Sequence, residues 1–258
     1  MREDLKVVLV QPNLVWENPK ANRDKLEKLM IGQSGDLFVL PEMFATGFSM
    51  NPSAFSETED SASVSWMKVM AKEKEAAIVG SLIIEENSNY YNRLLFIYPD
   101  GTYITYNKRH LFTLAGEEKY YAQGQDSIVV EYKGWKIKPL VCYDLRFPVW
   151  ARNTEDYDLL LYVANWPAKR SHAWSSLLTA RAIENQSYVI GVNRVGEDGN
   201  GMAHNGKSVA IDALGEDLLI FKEGEEAAKP ILLSSEDLKE VRERFRFLQD
   251  ADEFKILK

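Results

Sequence analysis

Short apolar runs punctuated by turn residues dominate the chain. β-Branched and aliphatic residues cluster at 6–10, 36–40, 77–84, 91–98, 102–106, 127–132 and 136–141, and runs of this length bounded by polar, Gly or Pro positions predict strands. Asp100-Gly101 separates two of them and predicts a hairpin, because the pair tolerates the positive φ angles of a tight turn; Lys133-Gly134 does similar work less specifically. Residues 22–30, 63–74 and 172–185 instead place apolar side chains at helical spacing, the last through Trp174, Leu177, Leu178 and Ala182. In the second half, 158–164 and 188–193 read as strands, followed by 208–212 and 217–221 around an Ala213-Leu214-Gly215 turn. Ser234, three residues before Asp237, opens a charged helix over 235–245.

Strands and helices therefore alternate, and no Pro/Gly/Ser-rich linker, internal repeat or low-complexity tract interrupts them. Hairpins beside strand–helix units predict antiparallel together with parallel pairing. That mixture favours a sandwich of sheets with helices outside over a purely parallel barrel, in one domain spanning 1–258.

Composition narrows the function. With 31 Lys+Arg against 39 Asp+Glu, the formal charge of −8 argues against a dedicated nucleic-acid binder, whose phosphate affinity needs concentrated cations. At 45% hydrophobic and 27% charged, the 258-residue chain has the make-up of a folded, soluble protein. Its one cysteine, Cys142, excludes an internal disulfide framework and a multi-cysteine zinc site, and the expected compartment is the cytoplasm. The apolar run after Met1 is too brief for a secretory signal, and no stretch is long enough to span a membrane.

Cys142 lies where the run Leu140-Val141 gives way to Tyr143-Asp144. A lone cysteine is most often a small buried hydrophobe, but at a strand end the neighbouring backbone N–H groups can lower its pKa and bind an oxyanion. Histidine would be its familiar partner. His110, His172 and His204 show no metal-ligand spacing, and spacing does not decide for or against a Cys–His pair, whose members stand apart in sequence and are recognised by geometry. Glu42 and Lys108 occupy equivalent places, directly after the runs ending at Pro41 and Asn107. If those strands lie side by side with the same sense, their ends gather a carboxylate, an ammonium and a thiol. Glu42 would then take the thiol proton, while Lys108 lowers the thiol pKa and holds negative charge on a substrate oxygen.

Pro41-Glu42-Met43-Phe44, Tyr106-Asn107-Lys108-Arg109-His110-Leu111-Phe112 and Val141-Cys142-Tyr143-Asp144-Leu145-Arg146-Phe147-Pro148 resemble the three signature segments of the nitrilase superfamily of carbon–nitrogen hydrolases, in order and across nearly the whole chain. Together with Asn165-Trp166-Pro167 and Ala180-Arg181-Ala182-Ile183-Glu184-Asn185, they look most like the bacterial omega-amidases that act on 2-oxoglutaramate. The resemblance implies an α-β-β-α sandwich, a homodimer or larger homo-oligomer, and hydrolysis of a small amide by water through a cysteine thioester. It also implies Cys142 as nucleophile, Glu42 as general base and Lys108 as oxyanion cation. A second glutamate is expected after the lysine segment, where Glu117 is preferred to Glu118. No metal or organic cofactor is implied.

For the substrate, the resemblance implies that Arg146, four residues after the nucleophile, binds a distal carboxylate. An arginine fork suits that task, and the lesser alternative is a salt bridge with Asp144 or another acid. Trp166 and Tyr143 are expected in the pocket wall, with the Tyr143 backbone N–H on the oxyanion. Gly196-Glu197-Asp198-Gly199-Asn200-Gly201 has the wrong spacing for a dinucleotide loop and reads as hairpin turns. Arg242, Arg244 and Arg246 are interrupted by Glu240 and Glu243, which suggests a solvated helix face or a subunit contact. An N-carbamoyl amidohydrolase or another amidase of the superfamily is the alternative among enzymes. A carboxylate-binding or thiol-sensing protein is the alternative outside them, but it gives no reason for Glu42 and Lys108 to stand at matching strand ends.

Overall fold

In the computed structural model, which describes residues 2–58 and 60–256, the apolar runs pair into two six-stranded sheets. The first half supplies β1 (Leu5–Gln11), α1 (Pro19–Met30), β2 (Leu37–Val39), α2 (Pro52–Phe55), α3 (Ala62–Lys74), β3 (Ala77–Glu86), β4 (Asn89–Ile97) and β5 (Tyr103–Asn107). The second supplies β6 (Val130–Tyr132), β7 (Trp135–Val141), α4 (Pro148–Ala151), β8 (Leu159–Val163), α5 (Ser171–Asn185), β9 (Tyr188–Val192) and a small hairpin, β10 (Val195–Glu197) with β11 (Ala203–Asn205). After it come β12 (Val209–Ile211), β13 (Asp217–Ile220), β14 (Ala227–Leu233) and α6 (Ser235–Arg244).

One sheet is ordered β14-β1-β2-β3-β4-β5 and the other β13-β12-β9-β8-β7-β6. The centres, β1-β2-β3 and β7-β8-β9, are parallel, and the flanks are antiparallel. The strand–helix units produce the parallel pairing; short turns join β3 to β4, β4 to β5, β6 to β7 and β12 to β13, whereas β14 returns to β1 from the far end of the chain and β12 reaches β9 past the β10–β11 hairpin.

Alternation along the strands divides the core into layers. On β1, Val7 and Leu9 join Val39, Val79 and Phe96 in the core that includes Ile137 and Leu161 of the other sheet, whereas Val8 and Val10 pack with Leu26 and Met30 of α1 and Val64 and Met67 of α3. A strand covered on both faces carries a continuous apolar run, as this one does. On the second sheet α5 brings Trp174, Leu178 and Ala182 into the core. Gly191 lets the helix approach: a Cβ there would lie 2.6 Å from a Leu178 methyl and 2.8 Å from the Trp174 ring. The result is the four-layered α-β-β-α sandwich.

Element boundaries differ from the sequence reading where local chemistry overrides periodicity. Helix α1 begins at Pro19 rather than at residue 22, because Asn18 Oδ1 accepts the Ala21 N–H at 3.1 Å and Pro19 suits the first helical turn. Strand β14 was not expected. It contains Pro230 and Lys229 and sits at the sheet edge against β1, where a missing N–H is tolerated. The run 196–201 enters the β10–β11 hairpin, closed by the Asp198 N–H on the Met202 carbonyl at 3.1 Å. Among the described residues no helix is long and apolar enough to cross a membrane.

Candidate active site

The three strand ends meet, but not by lying side by side. β2 and β5 share a sheet with β3 and β4 between them, and β7 belongs to the facing sheet. Glu42, Lys108 and Cys142 therefore converge across the seam of the sandwich, at the carboxyl ends of strands from both sheets.

Each residue is held there by its own local device. Cys142 has φ +43°, a left-handed conformation that a non-glycine residue adopts at some strain. The turn survives because buried Asp144 braces it: Oδ2 accepts the Val141 N–H at 3.0 Å and the Tyr106 hydroxyl at 2.8 Å, while Oδ1 accepts the His110 N–H at 3.0 Å and contacts its Nδ1 at 2.8 Å. One carboxylate thus ties the cysteine turn to the segments on both sides of Lys108. His110, stacked on Phe147 at 3.7 Å, is part of this brace. Gly124 backs the lysine: its N–H donates to the Lys108 carbonyl at 2.9 Å, and a Cβ there would stand 2.0 Å from the Asn107 carbonyl oxygen.

Lys108 Nζ lies 2.9 Å from Glu42 Oε1 and 3.0 and 2.9 Å from the two Glu117 oxygens, with all three side chains buried. Glu117 also accepts the Phe112 N–H at 2.6 Å. The neighbouring Glu118 is exposed, so of the two adjacent acids it is Glu117 that reaches Lys108. Glu42 Oε1 accepts from Asn92 Nδ2, and Oε2 from the Asn165 N–H, each at 2.8 Å, and Asn165 Nδ2 donates to the Glu42 carbonyl. Every carboxylate oxygen in this cluster has a donor, which is what allows buried charge to persist.

Burial by itself would lower the Lys108 pKa, but Glu117 and Glu42, assisted by Cys142, carry it above the ordinary lysine value. Burial raises Glu117, with Lys108 opposing and Glu42 adding to the rise. The Cys142 thiol goes well above its ordinary value, first through burial and then through the Glu42 carboxylate, to which it hydrogen-bonds. The sequence reading expected Lys108 to lower this thiol. The ammonium does pull that way but is outweighed. The thiol therefore faces the Glu42 carboxylate directly.

A cavity of about 420 Å3 opens onto these groups. Arg146, Trp166 and Tyr143 line it, together with Phe48, Phe112, Asn165, Arg170, Asp198 and His204. The Arg146 guanidinium stands 5.1 Å over the Trp166 ring and forms no salt bridge with Asp144, whose oxygens serve the brace. Tyr143 sets its ring edge-on between Phe112 and Phe147, at 4.9 and 5.2 Å. His204, buried, is lowered to about 4 by desolvation and by nearby Arg194. Among the described residues no group of three His, Cys, Asp or Glu side chains is arranged to hold a metal ion.

Sequence reasoning missed Arg170 and His204 as cavity groups and Asn92 as the buried amide that holds Glu42. Asn92 left little signal, since Asn89 and Arg93 make the first half of β4 polar as well. Arg170 left none, since a basic residue between a strand and a helix is commonplace.

Known proteins resemble this chain in sequence and in fold. The carbon–nitrogen hydrolase family model matches residues 6–244. The "Omega-amidase YafV" of Yersinia enterocolitica is 48% identical over 256 residues, covering 98% of this chain and 99% of that protein. The "2-oxoglutaramate amidase" of Bacillus subtilis is 34% identical over 250 residues, covering 93% and 95%. A solved CN-hydrolase superfamily protein from Xanthomonas campestris, with an arsenic adduct in its active site, superposes with a TM-score of 0.96 at 42% identity, covering 98% of this chain and 99% of that one. The chain belongs to the carbon–nitrogen hydrolase family.

Proposed function

We infer that this protein is an omega-amidase, a hydrolase that releases ammonia from the terminal amide of a short 2-oxo dicarboxylic acid monoamide such as 2-oxoglutaramate or 2-oxosuccinamate. The observation that carries the reading is the buried Glu42–Lys108–Glu117 cluster facing the Cys142 thiol across one cavity. Near-full-length relatives named for that activity support the substrate class.

In the proposed mechanism Cys142 attacks the amide carbonyl as Glu42 takes its proton. Because the thiol pKa is raised, transfer to Glu42 accompanies attack instead of preceding it. Lys108 Nζ and the Tyr143 backbone N–H stabilise the oxyanion. Glu42 passes its proton to the departing nitrogen, leaving a thioester and ammonia. The same carboxylate then removes a proton from water as the water attacks the thioester, and Cys142 is re-protonated when the 2-oxo diacid leaves. Glu117 holds Lys108 in place. Arg146 grips the substrate carboxylate, with Trp166 and Tyr143 as apolar wall. The proposed setting is a cytoplasmic homodimer or larger homo-oligomer, a compartment that keeps the single thiol reduced.

Ammonia release measured across 2-oxoglutaramate, 2-oxosuccinamate, glutamine and N-carbamoyl amines tests the reading. Turnover concentrated on the 2-oxo amides supports it. Preferential cleavage of carbamoyl amines, with carbon dioxide accompanying ammonia, would replace it with a carbamoylase.

A further inference from the structure

Two guanidinium groups, not one, border the cavity. Arg170 lies at the start of α5, its side chain half-buried, 4.9 Å over the Phe112 ring, while Arg146 lies 5.1 Å over Trp166. The two walls are linked, because Trp166 Nε1 donates to the Arg170 carbonyl at 2.8 Å. Among the described residues neither guanidinium forms a salt bridge or a side-chain hydrogen bond. Both carboxylates that line the cavity are engaged elsewhere: Glu42 with Lys108, and Asp198 through Oδ1 with the N–H groups of Asn200 and Met202.

Burial lowers the Arg170 pKa, Cys142 opposes that, and Arg146 adds to the lowering. The guanidinium therefore lies in electrostatic reach of both the nucleophile and the other arginine. Arg146 is exposed and Arg170 half-buried, so the repulsion between these unpaired cations is softened by water and is relieved when an anion enters between them.

Resting on the omega-amidase reading, we propose that Arg170 is a specificity-determining residue which, with Arg146, grips the 2-oxo acid end of the substrate and rejects the corresponding 2-amino acid. A 2-oxo acid offers a carboxylate and an adjacent carbonyl oxygen, acceptors only, to two donor forks. A 2-amino acid such as glutamine puts an ammonium in that place, against two positive charges. Discrimination then comes from repulsion of the wrong ligand as well as attraction of the right one.

The test compares Arg170→Gln with the unsubstituted enzyme on 2-oxoglutaramate, glutamine and a short neutral ester. Loss of a charge-assisted contact lowers kcat/KM for 2-oxoglutaramate by roughly tenfold to a hundredfold, mainly through KM. The preference for 2-oxoglutaramate over glutamine should shrink by at least about tenfold, and the neutral ester should lose far less than the 2-oxo amide. An unchanged preference overturns the proposal, and so does a parallel loss on all three substrates, which would assign Arg170 a structural role. If the unsubstituted enzyme releases no ammonia from 2-oxoglutaramate, the omega-amidase reading falls and the proposal with it. If it does so and only the variant's preference fails to change, this proposal alone is lost.

Discussion

Replacing Lys108 by Met preserves side-chain length and removes the charge on which the site depends. Glu42 and Glu117 would remain buried with Asn92, Asn165 and Phe112 as donors but without the ammonium at 2.9 Å from each. Removing one partner from a buried ion pair destabilises by about 3–5 kcal/mol. At about 2–4 °C per kcal/mol for a chain of this size, Tm should fall by roughly 6–20 °C. The deficit should depend on pH. Burial already raises Glu117, and loss of the opposing Lys108 raises it further. A carboxyl group whose folded pKa exceeds its unfolded value binds its proton more readily in the fold. The penalty is therefore present in full above that pKa and relieved as pH falls through it. Thermal unfolding should show a larger Tm gap from the unsubstituted protein at about pH 8 than at about pH 5. Below its Tm, Lys108→Met should lose about 10²–10³ in kcat, as removal of an oxyanion donor does. A gap that stays flat with pH, or ammonia release within tenfold of the unsubstituted enzyme, would refute the reasoning.

Cys142→Ala should abolish ammonia release while leaving the melting profile nearly intact, since the Asp144 brace bonds the Val141 backbone and not the thiol; residual turnover would exclude the thioester route. Glu42→Gln should produce two effects of opposite sense. Hydrolysis falls about 10²–10⁴-fold with loss of the base, yet the thiol, freed from the carboxylate that holds it up, titrates at lower pH and reacts faster with a small alkylating agent at neutral pH. A slower-alkylating variant contradicts that electrostatic account. Gly124→Ala forces a methyl onto the Asn107 carbonyl and should destabilise by at least about 1–3 kcal/mol while displacing Lys108; a variant with unaltered Tm and activity would show that the contact relaxes freely.

The sequence carried the strands through their apolar runs and the hairpins through their turn residues, because both are local properties. It carried Glu42, Lys108 and Cys142 because each interrupts an apolar run at the same relative place. Pairing order is not local. The idea of adjacent strands came from equivalent positions along the chain, whereas two of the strands are separated by β3 and β4 and the third lies in the other sheet. The thiol's protonation was misjudged for a related reason. Lys108 and Glu42 pull in opposite directions, and only depth of burial, which composition does not contain, decides between them. Strand β14 was hidden by Pro230, whose meaning changes once the strand is known to lie at an edge.

Placement at the seam makes the chemistry depend on how the two sheets face each other. Glu42 and Lys108 come from the first sheet and Cys142 from the second, so no single strand–helix unit could assemble the site. Asp144 is the side chain that fixes this relation, since it grips the β7 end on one side and Tyr106 and His110 of the lysine segment on the other. The acids and the ammonium form a satisfied network among themselves, and Glu42, Lys108 and Cys142 together border the cavity. A strained backbone at φ +43° accompanies that presentation. The packing of the sheets, and not any local motif, supplies the rigidity that holds a strained Cys142 against Glu42.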